Sequence, residues 1–147
     1  MKASSGRAAP SPSRSLVRDI LFPMAAFFIA EDDKFMFRLY ERVFTNAGHT
    51  VEVAKDGEEA LVKLSSMNPK PAVIVLDVMM PKKNGFEVLQ ELKKNPELAA
   101  IPVVLLTNLS GDEDKRRGLA LGAKEYLIKS DYEPQQVVDK VLALAPA

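Results

Sequence analysis

Five polar residues of this chain stand after short apolar runs and could together do chemistry. Asp32 and Asp33 follow the run Ala25–Ala30, Asp77 follows Ala72–Leu76, Thr107 follows Val103–Leu106, and Lys129 follows Tyr126–Ile128. Each run reads as a buried strand, so each polar residue falls at a strand's carboxyl end. Open parallel sheets bind their ligands at that edge. Carboxylates gathered there repel one another unless a cation sits among them, and hard oxygen ligands suit Mg²⁺. A hydroxyl and an ammonium beside such a pocket fit phosphoryl transfer, in which charge spread over the phosphoryl oxygens must be neutralised. The chemistry implied is acceptance of a phosphoryl group by an aspartate of this set.

Taken singly, each residue has a plainer reading. An aspartate after a strand commonly caps a turn or helix, although Val78-Met79-Met80-Pro81 offers Asp77 no helix to cap. An acidic pair such as Asp32-Asp33 is favoured at a helix start by the macrodipole. Glu31 reads as a solvated flank. Thr107 is a β-branched residue where strands welcome one, and Lys129 could be a solvated charge at a strand end. The joint occurrence favours function, because four strand ends that one topology gathers together each supply a useful group.

The elements that must position these groups are legible. The run Ala25–Ala30 is the first strand. A helix is expected over Asp33–Ala47, with Met36, Leu39, Tyr40, Val43, Phe44 and Ala47 at helical spacing and Gly48 as its stop. Thr50–Ala54 is a second strand. Asp56 caps the next helix with Glu59 three residues on, and Ala60, Leu61, Leu64 and Met67 form its stripe. Ala72–Leu76 is the third strand and Phe86–Lys94 the third helix, ended by Asn95-Pro96. Val103–Leu106, a weaker helix over Asp112–Leu121 that contains Gly118, Tyr126–Ile128 and a final helix over Pro134–Leu144 complete the alternation. Such alternation implies an α/β fold, a doubly wound parallel sheet covered on both faces.

Bulk composition narrows the function further. The chain has 147 residues, with 20 basic and 20 acidic side chains, one histidine and no cysteine. A zinc site of the usual kind and a disulfide framework are thereby excluded, and a cytoplasmic location fits. No basic excess marks a nucleic-acid binder, and no Gly-rich phosphate loop marks a P-loop nucleotidase. His49 reads as an exposed loop residue. Phe22, Phe27, Phe28, Phe35 and Phe37 read as core. Residues 1–24 are rich in Ser, Ala, Pro and Arg and carry a balance of +3, which reads as a disordered extension ahead of a domain over 25–147. A secretory signal is disfavoured by Pro23, and the apolar run is too short to span a membrane.

With these residues in place, the chain resembles the receiver domain of bacterial two-component response regulators, of the chemotaxis type. The resemblance runs from about Ala25 to Ala145. It rests on Glu31-Asp32-Asp33, on Val-Leu-Asp77-Val-Met-Met-Pro81-Lys-Lys-Asn-Gly85, on Leu-Leu-Thr107, and on Gly122-Ala-Lys-Glu-Tyr126-Leu-Ile-Lys129. It implies a flavodoxin-like sheet of five strands in the order 2-1-3-4-5 with five helices. It also implies phosphorylation of Asp77 by a sensor histidine kinase or a phosphotransfer protein. Mg²⁺ would be held by Asp33, Asp77 and the Met79 carbonyl, with Asp32 acting through water. Thr107 would bond the phosphoryl oxygens, Lys129 would pair with them, and Tyr126 would be the aromatic that swings inward on activation. The chain departs from the pattern at Ser130, where proline after a cis bond is common. It departs again at Asn108, where a small residue is usual, and at the apolar Met79 and Leu109, which cannot orient a hydrolytic water.

The expectation is a single-domain response regulator that assists its own phosphorylation and dephosphorylation but turns over no free substrate. Output would pass by contact of helix four, strand five and helix five with a protein target, by a phosphorylation-linked dimer, or by a phosphorelay. A haloacid-dehalogenase-like phosphatase would want a second aspartate where Met79 stands. A flavodoxin-like electron carrier would want a hydroxyl-rich loop where Asp32-Asp33 stands. A degenerate receiver used as a scaffold would have little use for the intact acidic set.

Overall fold

The computed structural model describes residues 26–146. The expected extension over residues 1–24, together with Phe22 and Ala25, lies outside the described residues. Within them the chain runs β1 (Ala26–Ala30), α1 (Lys34–Asn46), β2 (Thr50–Ala54), α2 (Gly57–Ser66), β3 (Val73–Leu76) and α3 (Gly85–Lys93). It continues with β4 (Val103–Thr107), α4 (Asp112–Ala120), β5 (Glu125–Ile128), a short 3₁₀ turn over Lys129–Asp131, and α5 (Pro134–Leu144). All strand pairs are parallel and the sheet order is β2-β1-β3-β4-β5. This is the doubly wound topology expected from the alternation.

Side chains alternate across a strand, and here both faces are covered, which is why β1, β3 and β4 read as unbroken apolar runs. Phe28, Ala30, Ile74, Leu76, Val103, Leu105 and Tyr126 face one packed layer with Leu64, Phe86, Leu89 and Leu92. Phe27, Ile29, Val73, Val75, Val104, Leu106 and Leu127 face the other, with Tyr40 and Phe44 of α1 and Val137, Val138 and Val141 of α5. The sheet is therefore a shared wall between two separate half-cores.

Local capping fixes where the helices begin. Asp56 Oδ1 accepts the Glu59 N–H at 2.8 Å, as its spacing predicts. Asn84 and Glu87 form a reciprocal capping box that starts α3 at Gly85, one residue earlier than its apolar stripe suggests. Helix α4 is the exception in packing. Its sequence is almost wholly polar, and Gly118 is its one buried residue. A Cβ at Gly118 would stand 2.6 Å from Leu105 Cδ1 and 3.0 Å from Tyr126 Cδ2. Glycine within a helix costs about 1 kcal/mol in propensity, and here it lets α4 lie directly against β4 and β5.

Three expectations need correction. Phe27 and Phe28 are fully buried, but Phe35 is 73% exposed, because the Asp33 cap turns the first residues of α1 toward solvent. His49 is half-buried rather than exposed: it follows the stop of α1, its N–H returns to the Phe44 carbonyl at 3.1 Å, and its ring meets Phe27 edge-on at 5.2 Å. Glu31, read as a solvated flank, is only 2% exposed. The Lys129–Ser130 bond is trans. Among the described residues, no helix is long and apolar enough to cross a membrane.

Candidate functional site

The sheet topology brings the carboxyl ends of β1, β3, β4 and β5 side by side. The chain leaves β1 into Glu31, whose N–H bonds the Ala54 carbonyl at 2.9 Å, while the Asp77 N–H bonds the Ala30 carbonyl at 3.0 Å. These ladder bonds continue the sheet one residue past its apolar part and aim Glu31 and Asp77 into one pocket. Asp77 is 6% exposed. Its Oδ1 accepts the Met79 N–H at 3.0 Å and its Oδ2 accepts from Lys129 Nζ at 2.9 Å. Gly85 closes the loop behind it, donating its N–H to the Val78 carbonyl at 2.9 Å. A Cβ on Gly85 would lie 2.5 Å from the Asp77 carbonyl oxygen, so no larger residue fits.

Lys129 is the electrostatic centre. Its ammonium lies 2.5 Å from Glu31 Oε1 and 2.9 Å from Asp77 Oδ2. Burial alone would lower the lysine's pKa, but its bonds to Glu31 and Asp77 outweigh that and hold it above the ordinary value. Glu31 is pushed up to about 7, first by burial and further by the Asp77 charge, against the opposing bond from Lys129. One part-buried cation thus serves two buried carboxylates.

Glu31, Asp32 and Asp77 each offer an oxygen, and these oxygens all lie within 4.8 Å of one another. Three hard carboxylate donors at that spacing fit a small divalent cation such as Mg²⁺. The structure moves the acidic set by one residue from the sequence reading. Asp33 is exposed, and its Oδ1 accepts the Phe35 and Met36 N–H groups at 2.9 and 3.3 Å as the N-cap of α1. Glu31, read as a solvated flank, enters the pocket instead, and its Oε2 accepts the Asp33 N–H at 3.2 Å.

Thr107 is fully buried as the last residue of β4. Its Oγ1 accepts the Leu109 N–H at 3.2 Å, and the Leu109 carbonyl in turn accepts the Tyr126 hydroxyl at 2.6 Å. Tyr126 is 6% exposed, pointing inward, with its pKa raised by burial. The backbone of Leu109, which composition could not single out, therefore links Thr107 to Tyr126. Asn108 is exposed, as is the Met79 side chain. A groove of about 590 Å³ shares Asp32 with the pocket and is lined also by Met79, Leu109 and, from α4, Asp114 and Arg117.

A flavodoxin-like sheet with an acidic pocket and a part-buried lysine at its carboxyl edge defines the class: a doubly wound α/β domain with its charged site where such sheets bind ligands. Within it, this chain belongs to the response regulator receiver domain family, whose model it matches over residues 27–142. It is 46% identical over 101 residues to the gliding motility regulatory protein of Myxococcus xanthus, covering 68% of this chain and 13% of that protein. It is 36% identical over 116 residues to the alkaline phosphatase synthesis transcriptional regulatory protein PhoP of Bacillus subtilis (strain 168), covering 79% and 46%. The chain spans less than half the length of the curated relatives it matches. Among solved structures, the chemotaxis response regulator CheY4 of Vibrio cholerae aligns with a TM-score of 0.75 at 29% identity, covering 82% of this chain and 98% of that one. The phosphorylated cyanobacterial phytochrome response regulator RcpA aligns at 0.74 and 30% identity, covering 84% and 97%.

Proposed function

We propose that this receiver domain is a Mg²⁺-dependent switch in which Asp77 accepts a phosphoryl group from a sensor histidine kinase or a phosphotransfer protein. The observation that carries the reading is Asp77 itself. It is a buried carboxylate at a strand end, oriented by the Met79 N–H and Lys129 and flanked by two further carboxylates. An Asp77 oxygen attacks phosphorus, the donor's bond to phosphorus breaks, and the acceptor becomes an acyl phosphate. Glu31, Asp32, Asp77 and the Met79 carbonyl would hold the Mg²⁺. Bound there, the ion would neutralise charge on the phosphoryl oxygens. Asp33 keeps its role at the helix start.

The chain's own residues then read the added charge. A phosphoryl group brings close to two negative charges, and Lys129, already within bonding distance of Asp77, would shift its bond onto the new oxygens. Thr107 would turn its hydroxyl the same way and release the Leu109 N–H. Because the Leu109 carbonyl holds the Tyr126 hydroxyl, the movement reaches β5 and the neighbouring faces of α4 and α5. Output through that surface to a protein target, a second copy or a relay partner follows, in the cytoplasm and without direct contact to nucleic acid. The domain acts on its own acyl phosphate and not as an enzyme on free substrate. The deciding experiment is incubation with a small phosphodonor and Mg²⁺ followed by intact mass. The wild type should gain one phosphoryl group and Asp77→Asn none; equal uptake by that variant would refute the assignment.

A further inference from the structure

We infer that Arg117 is a specificity-determining residue of the Asp77 site, favouring phosphodonors that carry two negative charges over those that carry one; this rests on Asp77 being the phosphoacceptor. The groove that shares Asp32 with the pocket is lined by apolar side chains that include Met79, Phe86 and Leu109, and by two carboxylates, Asp32 and Asp114. Among the described residues that line it, Arg117 is the one cation. Its guanidinium carbon stands 4.4 Å over the Phe86 ring. No carboxylate lies within 4.0 Å of it among the described residues. An exposed cation–π contact is weak, so the side chain is placed at the groove yet able to leave the ring.

A donor approaching Asp77 passes two carboxylates, and its own negative charge opposes entry. Arg117 offsets that repulsion. Coulomb attraction to one cation scales with the donor's charge and fades in salt for an exposed group. Acetyl phosphate and phosphoramidate separate the effect because they differ in charge. From the acetyl phosphate dianion, Asp77 takes the phosphoryl group as the P–O bond breaks and acetate leaves with the electron pair. From the phosphoramidate monoanion, the P–N bond breaks and ammonia leaves, its nitrogen already carrying the needed proton. Both routes give the same acyl phosphate dianion.

The test times phosphoryl uptake of the full chain by intact mass, with Mg²⁺, across concentrations of each donor at low and high salt. Arg117→Ala should lower the second-order rate constant for acetyl phosphate about three- to tenfold, at or below the bottom of the range of charge steering, and for phosphoramidate by about the square root of that, roughly two- to threefold. The acetyl phosphate deficit should shrink at high salt, and Arg117→Lys, which keeps the charge, should recover most of the rate. Equal losses with both donors, or no loss with either, would overturn the inference while leaving the phosphoacceptor reading intact. Uptake that persists in Asp77→Asn would overturn both.

Discussion

Exchanging Glu31 for glutamine isolates the cost of keeping a third carboxylate in the pocket. The wild-type carboxyl is pushed from 4.5 up to about 7, chiefly because it is buried. The folded chain therefore holds this proton more tightly than the unfolded chain does. Its contribution to stability is full below about 4.5 and is lost progressively as pH rises through about 7. At 1.36 kcal/mol for each pH unit, the whole loss is about 3 kcal/mol, of which about 2 falls between about pH 5.5 and pH 8. Glutamine keeps an acceptor for Lys129 but cannot titrate. Urea unfolding with EDTA at those two pH values should thus show Glu31→Gln gaining about 2 kcal/mol on wild type as pH rises. A gap that stays constant to within about 0.5 kcal/mol would refute the burial argument, since no other change in the variant titrates in that window. Mg²⁺ at the higher pH should reverse the trend, stabilising wild type more than the variant.

Lys129→Ala leaves Glu31 and Asp77 facing each other without a cation, and should cost about 3 kcal/mol in EDTA. Mg²⁺ should restore much of this, and phosphoryl uptake should survive, whereas the NMR shift changes around Tyr126 expected on phosphorylation of the wild type should be absent. Gly118→Ala drives a methyl into Leu105 and Tyr126 at about 1–3 kcal/mol, offset by about 1 kcal/mol of helix propensity, so urea unfolding should show a net loss of up to about 2 kcal/mol, with a displaced Tyr126 ring resonance. Met79→Asn places a polar group where the wild type has an exposed apolar one, so loss of phosphate timed by intact mass should be faster than in wild type; equal lifetimes would count against water exclusion by Met79.

The sequence showed the sheet because burial on both faces leaves β1, β3 and β4 with no polar alternation to confuse them. Asp77, Thr107 and Lys129 were readable for a related reason: each is the first polar residue after such a run or its last member. Glu31-Asp32-Asp33 was not readable to the residue. Three consecutive acids have similar chemistry, and a shift of one turns a side chain to the other face. The cue that would have settled the register was the helix start: a residue immediately ahead of Lys34 must occupy the N-cap, and aspartate is well suited to it. That assigns Asp33 to α1 and returns Glu31 to the strand end. The Leu109 link carried no signal at all, because its backbone, not its side chain, makes both bonds.

The shallow seating of α4 has a consequence for how many molecules a small signal can recruit. Helix α3 buries Phe86, Val88, Leu89 and Leu92, so its detached population is vanishingly small and a tenfold bias leaves it so. Helix α4 buries only Gly118, and its amide protons should exchange through local openings of low free energy while β1 and β3 stay protected. A helix seated this lightly should have a second placement within a few kcal/mol of the first. A single charge-assisted bond, about 1.5–3 kcal/mol, then redistributes most of the ensemble, at roughly ten- to a hundredfold in the ratio of the two placements. Apolar residues added to α4 would make the fold more stable and the response smaller.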